Sequence, residues 1–113
     1  MDISQFKETM KTDIKFDDNT RREIISKSLK RCDWRVKTVI IMEELSELIK
    51  AVSKSYRAQL EMDNNEDIYY GLIEEMADVR ICMEFLKDIF NISESDLEKA
   101  IDIKLQRESK RCE

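Results

Sequence analysis

The chain contains no histidine, no proline, one glycine and three cysteines. Without histidine it has no Ser-His or Cys-His nucleophile machinery, no His-based zinc site and no Glu-x-x-His di-iron pairs. Without proline, and nearly without glycine, it lacks the turn chemistry that sheets need. Cys32, Cys82 and Cys112 show no metal-ligand spacing, and their odd count argues against a disulfide framework. A reducing, cytoplasmic setting is the expectation. No apolar run approaches a membrane span, and the opening MDISQFKETMK has no signal-peptide core, so no membrane partner is expected.

What the chain does have is charge in helical spacing. Of its 113 residues, 40% are charged and 42% hydrophobic, which points to an all-α protein of one domain with a modest core. The formal net charge of -5 does not favour a nucleic-acid partner. Charge is segregated. Arg21, Arg22, Lys27, Lys30, Arg31, Arg35 and Lys37 cluster early, whereas Glu61 to Asp78 is acidic with no basic residue. Such poles suit either a phosphate-bearing ligand or two complementary solvated faces.

The pattern predicts an antiparallel bundle of about four main helices behind an N-terminal extension, residues 1–19. Thr20-Arg21-Arg22-Glu23 reads as a capping box opening a helix to about Arg31. Asp33 caps a long helix from Trp34 to Leu60, whose core stripe is Ile41, Leu45, Leu48, Val52 and Tyr56. At 1.5 Å per residue that helix is roughly 40 Å long, longer than a compact domain of this size, so a homo-oligomer, dimer or tetramer, is expected. Glu61 to Asp67 reads as a loop. A helix from Gly71 to Phe90 follows, ended by Asn91, and Ser93 or Ser95 caps a last helix to about Arg111.

The helix Gly71 to Phe90 violates its own amphipathic pattern. Leu72, Met76, Val79, Cys82, Met83, Leu86 and Phe90 mark its apolar stripe. Glu75 falls in the middle of that stripe, and Asp78 lies about 60° to one side. An unpaired buried carboxylate costs several kcal/mol. The long helix carries a second pair, Glu44 and Glu47, on the shoulder of its stripe with Ile40 and Ala51. Antiparallel neighbours would bring all four carboxylates together, and no basic residue stands inside either motif. A hard divalent cation is the natural compensator. Oxygen ligands alone favour Mg²⁺ or Mn²⁺, and Mg²⁺ commonly completes its shell with substrate phosphates.

The motifs stand as IMEELSELIKAVSK and GLIEEMADVRICMEFL, with 27 residues between Glu47 and Glu75. This ExxE, gap, ExxD pattern resembles the MazG-like superfamily of all-α nucleoside triphosphate pyrophosphohydrolases. That superfamily also includes dimeric dUTPases and phosphoribosyl-ATP pyrophosphohydrolase. The resemblance covers Trp34 to Arg111, and the Lys and Arg of IDIKLQRESKR resemble the family's C-terminal pair.

It implies hydrolysis of a nucleoside triphosphate to the monophosphate and pyrophosphate. Glu44, Glu47, Glu75 and Asp78 would hold Mg²⁺, with Glu44 or Glu47 orienting the attacking water. Lys54, Arg57, Lys104 and Arg111 would meet phosphate charge, and Trp34 would stack on a base. The chain departs from the family at Lys37, where many members carry Gln, and at Glu108, where many carry Asn. Both departures bear on the nucleotide rather than on the metal. Two other readings use the same residues: a non-catalytic helical interaction module, motivated by the long helix and segregated charge, and a nucleotide-binding sensor, motivated by Lys37.

Overall fold

A computed structural model describes residues 2–113, and every one of its regular elements is helical. Met1, the first residue of the expected extension, lies outside the described residues. The elements are α1 (Ile3–Thr9), α2 (Asp18–Lys30), α3 (Trp34–Leu60), α4 (Glu66–Ile89) and α5 (Glu94–Arg111). Among the described residues no helix is long and apolar enough to cross a membrane.

Each helix start is written locally. Asp33 Oδ1 accepts from the Arg35 backbone N–H at 2.8 Å and caps α3, and Ser93 accepts from the Asp96 N–H at 3.1 Å and caps α5, both as the sequence predicts. The start of α2 differs. The cap is Asp17, whose carboxylate accepts from the Thr20 N–H at 2.7 Å, so the helix begins one turn before the expected Thr20 box. Asp outranks Thr as an N-cap, and its charge also meets the positive end of the helix dipole. Those N–H bonds hold the Asp17 carboxyl below the ordinary carboxylate range. α4 likewise begins earlier than predicted. Asn65 caps it, Glu66 and Asp67 fill its first turn, and Gly71 becomes interior.

Helix ends follow the same logic. Asn91 terminates α4 in the left-handed region at φ 58°, while Ile92 N–H donates back to Lys87 C=O at 2.9 Å. Met62 does the same for α3 at φ 56°, with Asp63 N–H reaching Ala58 C=O at 2.8 Å. A non-glycine residue there costs about 1–2 kcal/mol. The αL turn reverses the chain, and α4 runs back along α3.

The α3–α4 hairpin is the main packing contact of the fold; α1 and α2 rest on α4. Lys7 of α1 bridges Asp67 at 2.9 Å and Glu66 at 3.2 Å, and these bonds push its amine pKa up. Ile41, Ala58 and Cys82 are the buried apolar residues. The radius of gyration is 16.9 Å, against roughly 13 Å for a compact chain of this length.

The buried side of α3 keeps Ile41 and Leu48 of the expected stripe but not its other three residues. Leu45, Val52 and Tyr56 are 37%, 52% and 66% exposed. The seam toward α4 is rotated to the shoulder that carries Lys37, Ile41, Glu44, Leu48, Ala51, Ser55 and Ala58, all buried or half-buried. Small side chains there let the helices approach closely. Periodicity marks the most apolar stripe of α3; the position of α4 decides which face is covered.

α5 stands apart. None of its residues is buried; Leu97 alone is half-buried, and Ile101, Ile103 and Leu105 are exposed. Its start is tied to α4 through Lys87, which pairs with Glu94 and with Glu84 at 2.9 Å.

Candidate metal centre

Glu44 projects from the rotated seam of α3, and Glu75 and Asp78 project from successive turns of α4. Each of the three half-buried side chains places a carboxylate oxygen within 4.8 Å of the other two. Glu75 Oε2 is buried and has no hydrogen-bond partner. Burial is the main force raising the Glu75 pKa, followed by the charges of Asp78 and Glu44. Glu44 is raised for the same reasons, burial first and Asp78 second. The neighbouring Cys82 thiol is also pushed up, by burial and then by Glu44 and Asp78.

Glu44 and Glu75, both raised by burial and by neighbouring negative charge, leave the protein two choices at neutral pH. They keep a proton, or they bind positive charge. Two oxygens on one Mg²⁺ lie at most about 4.2 Å apart. Three oxygens within 4.8 Å of one another are close to that spacing. The donor set is oxygen only, which suits Mg²⁺ or Mn²⁺.

Glu47, the fourth expected ligand, stands outside this triad. It is exposed and pairs with Lys50 at 3.2 Å, although its charge still acts on both Glu44 and Glu75. It lines an open cavity of about 390 Å³ beside the triad. Glu74, Glu75 and Asp67 line that cavity with Lys50 and Lys54, and Ala51, Gly71, Ile68, Leu72 and Ile3 of α1 complete the lining. Lys54 lines the same cavity as Glu47 and Glu75.

The other expected ligand contacts lie elsewhere. Arg57, Lys104 and Arg111 line neither this cavity nor the second one described below. Arg57 is exposed on the last turns of α3. Arg111 pairs with Glu108 at 3.4 Å on the exposed α5. Trp34 is 56% exposed at the start of α3, where its ring meets Phe90 edge-on at 6.5 Å, beyond the far end of the seam from Gly71.

Sequence reasoning passed over Lys50, Gly71, Glu74 and Ile3. Lys50 points away from the predicted stripe but toward the true seam's edge once α3 is rotated. Ile3, with Phe6 and Met10, reads as part of a short amphipathic helix, but its place on the cavity depends on α1 packing against α4, a contact between residues far apart in the chain. Lys37 also gains a definite place. Its amine donates to Ser28 Oγ at 2.8 Å and lies 4.2 Å from the centre of the Phe85 ring. With Lys27 and Arg31 it borders a second cavity, about 450 Å³, that no carboxylate lines. Comparison with protein-family models, curated proteins and solved structures returns no match for this chain.

Proposed function

We propose that the protein hydrolyses a nucleoside triphosphate to its monophosphate and pyrophosphate with Mg²⁺, or Mn²⁺, held by Glu44, Glu75 and Asp78. The observation that carries this reading is the triad itself: three carboxylate oxygens within 4.8 Å of one another, drawn from two helices. Its half-buried setting and the unpartnered Glu75 Oε2 support cation binding. The step from cation to pyrophosphohydrolase rests on the resemblance of the two motifs to the MazG-like superfamily.

The cation supplies charge that polarises phosphate oxygens and acidifies a nearby water. The chain's own residues do the rest. Glu47, exposed on the cavity side of the triad, accepts the proton as water attacks the α-phosphorus. The bond from that phosphorus to the bridging oxygen breaks, and pyrophosphate leaves. Lys54 and Lys50 of the cavity lining neutralise the departing charge. Lys104 and Arg111 join them only in an assembly of chains, because α5 does not carry them to the cavity within one chain.

That assembly is a homo-oligomer, with a second copy covering the exposed stripe Leu45, Ile49, Val52 and Tyr56 of α3. A self-complementary stripe along a 27-residue helix suits a two-fold contact, and the extended shape leaves it open. The exposed stripe also favours a second reading, a helical interaction module without catalysis.

The deciding test is incubation of the full chain with a panel of NTPs and dNTPs plus Mg²⁺, with detection of pyrophosphate. Release from at least one nucleotide is expected. No pyrophosphate from any of them at high enzyme concentration sinks the catalytic reading, and absence of Mn²⁺ binding as well favours the module.

A further inference from the structure

Gly71 is the chain's single glycine, and it sits in the interior of α4, where glycine is unfavourable. Three structural causes commonly hold a glycine in such a place. One is a left-handed backbone, but Gly71 does not have a positive φ. Another is a helix end, but α4 continues from Glu66 to Ile89. The third is close approach of another element. Gly71 is half-buried, yet a Cβ built on it would meet no atom within 4 Å. Gly71 lines the cavity beside Glu75. Ala51 of α3, small as well, lines the same cavity.

We propose that Gly71 is a specificity-determining position that keeps open the part of the cavity receiving the sugar and base of the nucleotide. This rests on the pyrophosphohydrolase reading. Gly71 lies one turn before Glu75 on the same helix face, about 6 Å along the axis. That is the offset between a phosphate seated at the carboxylates and the organic moiety attached to it. The apolar lining of Ala51, Ile68 and Leu72 suits a flat uncharged ring.

The test compares wild type, Gly71→Ala and Gly71→Leu with two probes in Mg²⁺: an α,β-methylene deoxynucleoside triphosphate and inorganic tripolyphosphate, which lacks the organic moiety. Gly71→Leu is expected to weaken nucleotide binding about tenfold or more and to leave tripolyphosphate within about twofold. Gly71→Ala is expected to raise the Tm by about 4 °C while weakening nucleotide binding less than Gly71→Leu does. Unchanged nucleotide affinity in Gly71→Leu overturns the proposal. So does an equal loss for both probes, which would mean general distortion, or a change in sedimentation, which would mean the space belongs to a second copy. If wild type binds neither probe, the underlying reading fails and this one with it.

Discussion

α4 and α5 break the same rule in opposite directions. Each carries charged residues on its apolar face: Glu75 and Asp78 on α4, Lys104 and Arg111 on α5. On α4 the part of that face around Glu75, Asp78 and Cys82 is covered, so the charges are half-buried and their environment has consequences. Burial raises Glu75, and Glu75 Oε2 lacks a partner. On α5 nothing within the chain covers the face, and the same kind of violation is solvated. A charge on an apolar stripe is therefore informative only after its cover is known. Long cations extend into water from such a position, whereas short carboxylates cannot escape it.

The sharpest way to break this contrast is at the covered face. Asp78→Asn should lower pyrophosphate release by roughly 10²-fold or more, the scale of losing one group that stabilises developing charge. A normal rate in Asp78→Asn would place the chemistry elsewhere. The next effect concerns the uncovered apolar stripe. The double variant Ile49→Lys and Tyr56→Lys should weaken self-association by roughly 10²-fold, read by sedimentation velocity across a concentration series. An unchanged sedimentation profile would remove the two-fold contact through α3.

A smaller loss is expected on α5. Lys104→Ala with Arg111→Ala should raise KM for the nucleotide about tenfold and leave Mn²⁺ affinity unchanged, since these cations meet phosphate and not metal. If KM is unaffected, the α5 cations are solvated in the assembly too.

The smallest effect is on stability, and its sign follows from burial. The folded chain holds the Glu75 proton at a pH where the unfolded chain, near 4.5, has released it. Folded protein then binds more protons, so this group's contribution falls as pH rises above about 4.5. Metal-free Glu75→Gln should lose that slope and gain about 2–4 °C in Tm at neutral pH. Thermal melts in EDTA from pH 4.5 to 8 measure it. Adding Mg²⁺ to wild type should flatten the same slope, because the cation favours the ionised form.

Much of the chain is legible without coordinates, and for a local reason. Asp33, Ser93 and Asn91 act on backbone groups two to five residues away, so their caps are visible in the string of residues. The misplaced start of α2 was a contest between two local signals, Asp17 and the Thr20 box, and the stronger acceptor won. The early start of α4 came from reading the polar run through Asp67 as loop when Asn65 is a cap. On α4 periodicity is right only in part: Leu72, Val79, Cys82 and Leu86 of its stripe are buried or half-buried, whereas Met76, Met83 and Phe90 are exposed, because the covered side is turned toward Glu75, Asp78 and Phe85.

The structure has five helices, with α1 inside the expected extension. The all-helical class, most helix ends and the presence of two carboxylate pairs thus follow from short-range chemistry. Which of those carboxylates meet does not. Glu44 enters the triad and Glu47 stays outside it because Ala51, Ser55 and Ala58 let α4 settle on the shoulder of α3 rather than on Leu45, Val52 and Tyr56. The open space at Gly71, and the uncovered face of α5, have the same origin. Covering a surface depends on where another helix lies, and that is settled by packing among residues far apart in the chain.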